Sequence, residues 1–267
     1  MTRSMRAALI AFAVALALLP VLSLHPLLLH LDEQGEMEWR RGLTDPGFLA
    51  LLAIAGMAAL FVLPLCSLME SARRSRRVTR ELAETAQRRT AHGIEYFWVA
   101  APDFFIANVG LWRPAIFVSS VAEARLGPAG LHAALLHEEA HRRRKDTLWR
   151  WALMSLTQPM QWLPGVGGLR RETVLRSECQ ADDDALTAGA TRHALFEAMV
   201  VAADGAAVPT GARLADGAVE YRLLRVAARE HALPRDSAAT LAGLTAILAS
   251  LPVLAHLLIA AGLVCVG

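Results

Sequence analysis

The sequence predicts a mainly α fold: a multi-span membrane protein carrying one cytoplasmic α+β domain. Three observations predict it. Of its 267 residues 55% are hydrophobic and 19% charged, against roughly 45–50% and about 25% in an ordinary globular chain. The excess is gathered into three long apolar runs. Between the second and third runs lies a region of ordinary polarity, in which short β-like stretches give way to helical patterns. This composition excludes a disordered chain. A net charge of +2 is too small for a nucleic-acid binder, so no direct nucleic-acid partner is expected. Cys66, Cys179 and Cys265 are far apart and form neither a disulfide framework nor a cysteine metal knuckle. Abundant Ala, with Arg supplying nearly all the basic residues, points to a GC-rich bacterial source.

The apolar runs are Ala7 to Leu31, Gly47 to Leu68 and Ala238 to Val266. Each exceeds the ~20 residues needed to cross a bilayer. The first follows Arg3 and Arg6 but is longer than a signal-peptide core and lacks a small-x-small cleavage site, so it reads as a retained anchor. The segment between the first two runs is acidic, with Asp32, Glu33, Glu36, Glu38 and Asp45 against Arg40 and Arg41. The second run is followed by Arg73, Arg74, Arg76, Arg77, Arg80, Arg88 and Arg89. Because positive residues stay cytoplasmic, the N-terminus and the region after Leu68 are expected inside and the acidic loop outside. The expected organisation is two transmembrane helices over 1–68, a cytoplasmic domain over 69–236 and a C-terminal transmembrane helix over 237–267. The predicted location is a bacterial inner membrane, multi-pass, with the working face in the cytoplasm.

Within 69–236 a helix through Glu81 and Glu84 is followed by strand-like stretches Ile94–Ala100, Phe104–Val109 and Ala115–Ser119. A helix then starts near Pro128, which suits a first turn. Well inside that helix lie His137, Glu138, Glu139, Ala140 and His141. Positions i and i+4 share a helix face, so the two imidazoles can hold one Zn²⁺ together. Glu138 lies beside the first ligand, placed to act as general base toward water. A catalytic zinc takes a third protein ligand and keeps one position open. Glu178 and Asp182, again i and i+4, supply it: Glu178 as third ligand, Asp182 as acceptor for the free N–H of a ligand histidine. Cys179, one residue away, faces elsewhere and reads as a packed thiol.

For Glu178 to meet the histidines, the chain cannot cross a membrane between them. The apolar but interrupted stretch 147–166, with Trp149, Trp151 and Trp162, therefore reads as an amphipathic or re-entrant segment. Tyr221, His193 and His231 are the candidates for stabilising an oxyanion. His25, His30 and His256 fall inside apolar runs, and His92 and His132 read as packed or exposed.

His137 to His141 followed by Arg142, Arg143, Arg144, Lys145 and Asp146 resembles the HELxHxxRRD signature of the BlaR/MecR-type membrane metallopeptidases. The stretch Val109-Gly-Leu-Trp-Arg-Pro-Ala-Ile-Phe-Val118 looks like the segment before their zinc helix, and Glu178-x-x-x-Asp182 matches their second motif. The resemblance covers Ile94 to about Leu186. The HtpX and CAAX-protease group shares this logic, so the motifs fix the gluzincin class better than the subfamily. The resemblance implies a gluzincin-type metalloprotease domain in which one Zn²⁺ per chain is held by His137, His141 and Glu178. It also implies a structural Asp146 and a β-edge that takes substrate as an added strand, with Phe104–Val109 and Ala115–Ser119 as candidates.

The implied activity is that of a membrane-bound zinc endopeptidase cleaving a protein in regulatory proteolysis, without a β-lactam sensor of its own. Implied partners are a protein substrate such as a transcriptional repressor, the lipid bilayer, and a separate sensor or second copy. An HtpX-like quality-control protease and a non-catalytic zinc-bearing scaffold or sensor are the alternatives.

Overall fold

A computed structural model describes residues 1–34, 46–205, 216–228, 232–234 and 237–265. Side chains of residues 20–34, 205, 216 and 217, and of most in 46–61 and 254–265, lie outside the description. The helices are α1 (Arg3–Gln34), α2 (Pro46–Thr85), α3 (Ser120–Arg144), α4 (Asp146–Thr157), α5 (Val166–Thr187), α6 (Arg192–Gly205), α7 (Asp216–Ala228) and α8 (Ala238–Cys265). The strands are β1 (Gln87–Ala91), β2 (Ile94–Val99), β3 (Ile106–Val109) and β4 (Ala115–Ser119).

The chain divides into two compact units. One comprises Met1, Met69–Met154 and Arg170–Asp236, and it holds the sheet. The sheet order is β1-β2-β4-β3, so β3 is an edge and β4 is interior. β1 and β2 form an antiparallel hairpin, β2 and β4 run parallel, and β3 returns antiparallel to β4 with Asn108 opposite Ile116. β1 is an element the sequence reading lacks. Its hairpin closes over His92 and Gly93, both at positive φ, a conformation that short hairpins require.

One core lies between sheet and α3: Tyr96, Ile116, Val118, Leu131 and Leu135 are buried together. A second core, around Ala133, Ala185, Leu195, Met199 and Val226, lies between α3 and the helices α5, α6 and α7. α3 is therefore covered on both sides, which holds its axis firmly relative to β3 and α5.

The other unit comprises Thr2–Leu68, Ser155–Leu169 and Ser237–Gly267. Here α1 packs against α8. Met5, Leu9, Phe12, Leu16 and Leu19 are buried at alternating spacings of four and three, the seam by which one helix beds on another.

Among the described residues no helix is long and apolar enough to cross a membrane. This overturns the expected multi-span membrane fold, the transmembrane reading of the runs at 7–31, 47–68 and 238–266, and the multi-pass inner-membrane location derived from them. The physical reason is visible in α1, where apolar side chains are spent on covering a neighbouring helix. Composition alone does not say what covers an apolar run. The inside–outside assignment falls with the spans; Arg73, Arg76, Arg77 and Arg80 stand on an exposed face of α2. The stretch 147–166, expected as an amphipathic or re-entrant segment, holds the rest of the 12-residue α4 and a short 3₁₀ turn over Gln158–Met160. The acidic stretch over 35–45 and residue 266 lie outside the described residues, as do the side chains of His25, His30 and His256.

Candidate metal centre

The helix that carries the histidines begins at a break. Gly127 sits at φ 63° and ψ 178°, outside helical space, and Pro128 opens the second limb of α3. Upstream, the Ser119 hydroxyl accepts from the N–H of Ala122 at 3.1 Å and from the N–H of Phe105 at 3.1 Å. One side chain thus caps α3 and ties it to the approach to β3. α3 ends at Lys145, whose φ of 55° turns the chain back while its N–H meets the carbonyls of Arg142 and His141. That turn brings Asp146, the first residue of α4, beneath His141.

His137 and His141 lie one helical turn apart, and their Nε2 atoms are 3.2 Å apart. Glu178, from α5, brings Oε2 to 3.3 Å from His137 Nε2 and Oε1 to 3.4 Å from His141 Nε2. Ligand atoms about 2.1 Å from a tetrahedral ion stand about 3.4 Å from one another. The three side chains therefore match one face of such a coordination polyhedron, and together they could hold a metal ion.

Both imidazoles have a carboxylate behind them. Asp182 Oδ1 lies 2.9 Å from His137 Nδ1, and Asp146 Oδ2 lies 2.9 Å from His141 Nδ1. At His141 the contact is a hydrogen bond that draws the proton to Nδ1 and leaves the Nε2 lone pair facing the centre; at His137 the carboxylate stands close, but Nδ1 makes no hydrogen bond. The Asp182 contact is the one the sequence predicts; Asp146, which the resemblance gives as structural, stands in the matching place behind His141. Asp146 is buried, and its Oδ2 also receives the Ser177 hydroxyl at 3.0 Å and Arg144 Nε at 3.0 Å. The Met1 α-amino nitrogen lies 2.9 Å from Asp146 Oδ1. Burial opposes its charge, yet the His141 contact and Arg144 hold the Asp146 carboxyl far below the usual range.

Two arginines flank Glu178. Arg150 places Nη1 and Nη2 at 2.6 and 2.7 Å from Oε1, and Arg222 places Nη1 at 3.0 Å from Oε2. Arg222 also clamps Asp182 with Nε at 2.9 Å and Nη2 at 2.8 Å. Despite burial, these two cations keep Glu178 ionised well below the usual carboxylate range. Burial disfavours the His137 imidazolium, but Asp182 and Glu178 outweigh it and push that group up to about 9.

Glu138 is held by the edge strand. Asn108 donates its backbone N–H to Glu138 Oε2 at 3.1 Å and its Nδ2 to the same oxygen at 2.7 Å; Nδ2 also reaches the Glu138 carbonyl at 2.6 Å. The Asn108 Oδ1 atom is buried and has no hydrogen-bond partner.

His137, His141, Glu178, Asp182 and Glu138 are thus brought together. Cys179 is fully buried, with its thiol pushed up to about 11 by that burial, a packed group. Neither Tyr221 nor His193 lines the clefts at the centre. The Tyr221 hydroxyl meets the Ala232 carbonyl at 3.5 Å, and His193 is exposed beside Glu197. His231 lies outside the described residues. His92 and His132 stack at 4.0 Å between ring centres. Sequence reasoning missed Asn108, Arg150 and Arg222. Each reaches the centre from a different element, and no local spacing announces them.

No family model matches the chain, and no curated protein or solved structure matches it.

Proposed function

We propose that the chain is a zinc endopeptidase whose centre is His137, His141 and Glu178, with Glu138 as general base. The carrying observation is the juxtaposition of three converging donor atoms with a carboxylate aimed by the edge strand. Two imidazoles and one carboxylate form a donor set that suits catalytic zinc, whereas structural zinc is closed by four protein ligands. The resemblance of the two motifs to the BlaR/MecR-type enzymes supports the same reading.

Zinc held by these residues would polarise a peptide carbonyl and make water a competent nucleophile near neutral pH. Asn108 fixes Oε2 of Glu138, leaving Oε1 to take the proton as the water oxygen adds to the carbonyl carbon. Glu138 then returns that proton to the amide nitrogen as the C–N bond breaks. Asp146 keeps His141 in the tautomer that presents Nε2 to the centre, and Asp182 sets a negative charge beside Nδ1 of His137. β3, the edge nearest Glu138, is the strand along which an extended substrate would lie; β4 is interior and unavailable. The buried, unpartnered Asn108 Oδ1 suits a substrate N–H.

The test is metal analysis of purified protein together with cleavage of an unfolded protein such as casein, for wild type and Glu138→Gln. The reading expects about one zinc per chain in both and cleavage by wild type alone. Loss of zinc in wild type, or undiminished cleavage by the variant, would overturn it. A scaffold would keep its zinc and be indifferent to the substitution. One cut in one partner marks a regulatory enzyme, and many cuts in unfolded chains mark quality control.

A further inference from the structure

Two clefts meet at the centre. The larger, about 770 Å³, runs past His137, Glu138 and Glu178 and is walled by Phe104, Ile106, Leu195, Phe196, Met199 and Leu223. The smaller, about 280 Å³, lies on the His141 side, shares Glu138 and Glu178, and is walled by Ala107, Asn108, Thr147 and Arg150. A chain lying across the centre therefore has an apolar recess at one end and a small polar one, containing a cation, at the other.

We propose that the preferred substrate carries a bulky apolar side chain on one flank of the scissile bond and an acidic side chain on the other, the acidic one read by Arg150. This rests on the endopeptidase reading above. Arg150 is the cation with capacity to spare. A guanidinium has five N–H donors, and Arg150 commits one from each Nη to Glu178 Oε1. Arg222 spends Nε, Nη1 and Nη2 on Asp182 and Glu178. Arg144 is divided among Asp146, Asp184 and the Ser177 carbonyl. The competing anion in the smaller cleft, Glu138, has Oε2 already covered by two donors from Asn108. An incoming carboxylate meets a guanidinium fork suited to its planar geometry. An incoming ammonium meets like charge and is rejected. The larger recess is mostly apolar; of the further charged residues that line it, Arg222 is spent on Asp182 and Glu178, and Glu220 has the same sign as an acidic side chain, so the two flanks are not interchangeable.

The experiment uses full-length protein and matched quenched peptides, with the same bulky apolar residue paired with Glu, Gln or Lys, in both orders across the scissile bond. Glu is expected over Gln by about tenfold in kcat/KM, the worth of a charge-assisted hydrogen bond in a half-open site, with Lys poorest. Raising the salt concentration narrows the gap. Arg150→Gln flattens the series, and Arg150→Glu inverts it so that Lys leads. A readout independent of turnover is anisotropy of labelled peptides on Glu138→Gln protein, where the same order of affinities is expected. Equal handling of the three peptides by wild type, or a preference that survives Arg150→Gln in metal-replete protein, overturns the inference and leaves the endopeptidase reading standing. Failure to cut either these peptides or casein by zinc-loaded protein overturns both.

Discussion

Replacing Asp146 by Asn removes one charge and almost no volume from a position where three elements meet. The carboxylate binds His141 Nδ1 at 2.9 Å, the Ser177 hydroxyl at 3.0 Å and Arg144 Nε at 3.0 Å, and it is 1% exposed. Breaking a buried ion pair from one side costs about 3–5 kcal/mol. The amide oxygen of Asn keeps part of the hydrogen bonding, so about 3 kcal/mol is the expected loss, read from urea unfolding followed by circular dichroism. With a neutral amide in place of the carboxylate, His141 is held less firmly in its preferred tautomer, and zinc affinity measured against a competing chelator should fall about 10–100-fold.

The pH dependence gives the sign. A carboxyl held below its ordinary 3.8 contributes stability that is present above that value and is lost as pH falls toward the folded-state value. The gap between wild type and Asp146→Asn should therefore be constant from pH 8 to 5 and close on acidification below about pH 4. A variant within about 0.5 kcal/mol of wild type, or a gap that widens in acid, would refute the charged role assigned to Asp146.

Asn108→Ala removes both Nδ2 bonds to Glu138, so cleavage should fall about tenfold or more while zinc content and melting temperature change little, as metal analysis and calorimetry would record. Gly110→Ala forces a side chain onto a residue at φ 103° whose Cβ would stand 3.1 Å from the Arg113 carbonyl oxygen. About 2 kcal/mol of stability should be lost in a denaturant titration. Zinc uptake must displace the proton that His137 holds up to about 9, so apparent affinity should rise by up to tenfold per pH unit from 7 and level off above 9. Calorimetric titration in buffers of differing ionisation heat would count that proton.

What was legible in the sequence was local. His137 and His141, or Glu178 and Asp182, are each set one helical turn apart, and that period needs nothing beyond the helix itself. The three β-like stretches were legible for the same reason: they became β2, shorter by one residue, β3, shorter by two, and β4, unchanged. What was not legible came from distance. Arg150, Arg222 and Asn108 reach Glu178 and Glu138 across 28, 40 or more, and 30 residues of chain, and nothing in their neighbours marks them. The apolar runs misled because lipid and a packed helix call for the same residues.

α5 carries on one face both Glu178, one of three residues that could hold an ion, and Asp182, the carboxylate behind His137, four residues apart. A rigid rod of this kind behaves as a gauge block: sliding it displaces Glu178 and the hold on His137 by equal amounts. One residue inserted between 178 and 182 would rotate one carboxylate about 100° relative to the other, and Glu178 and the carboxylate behind His137 could no longer both face the centre.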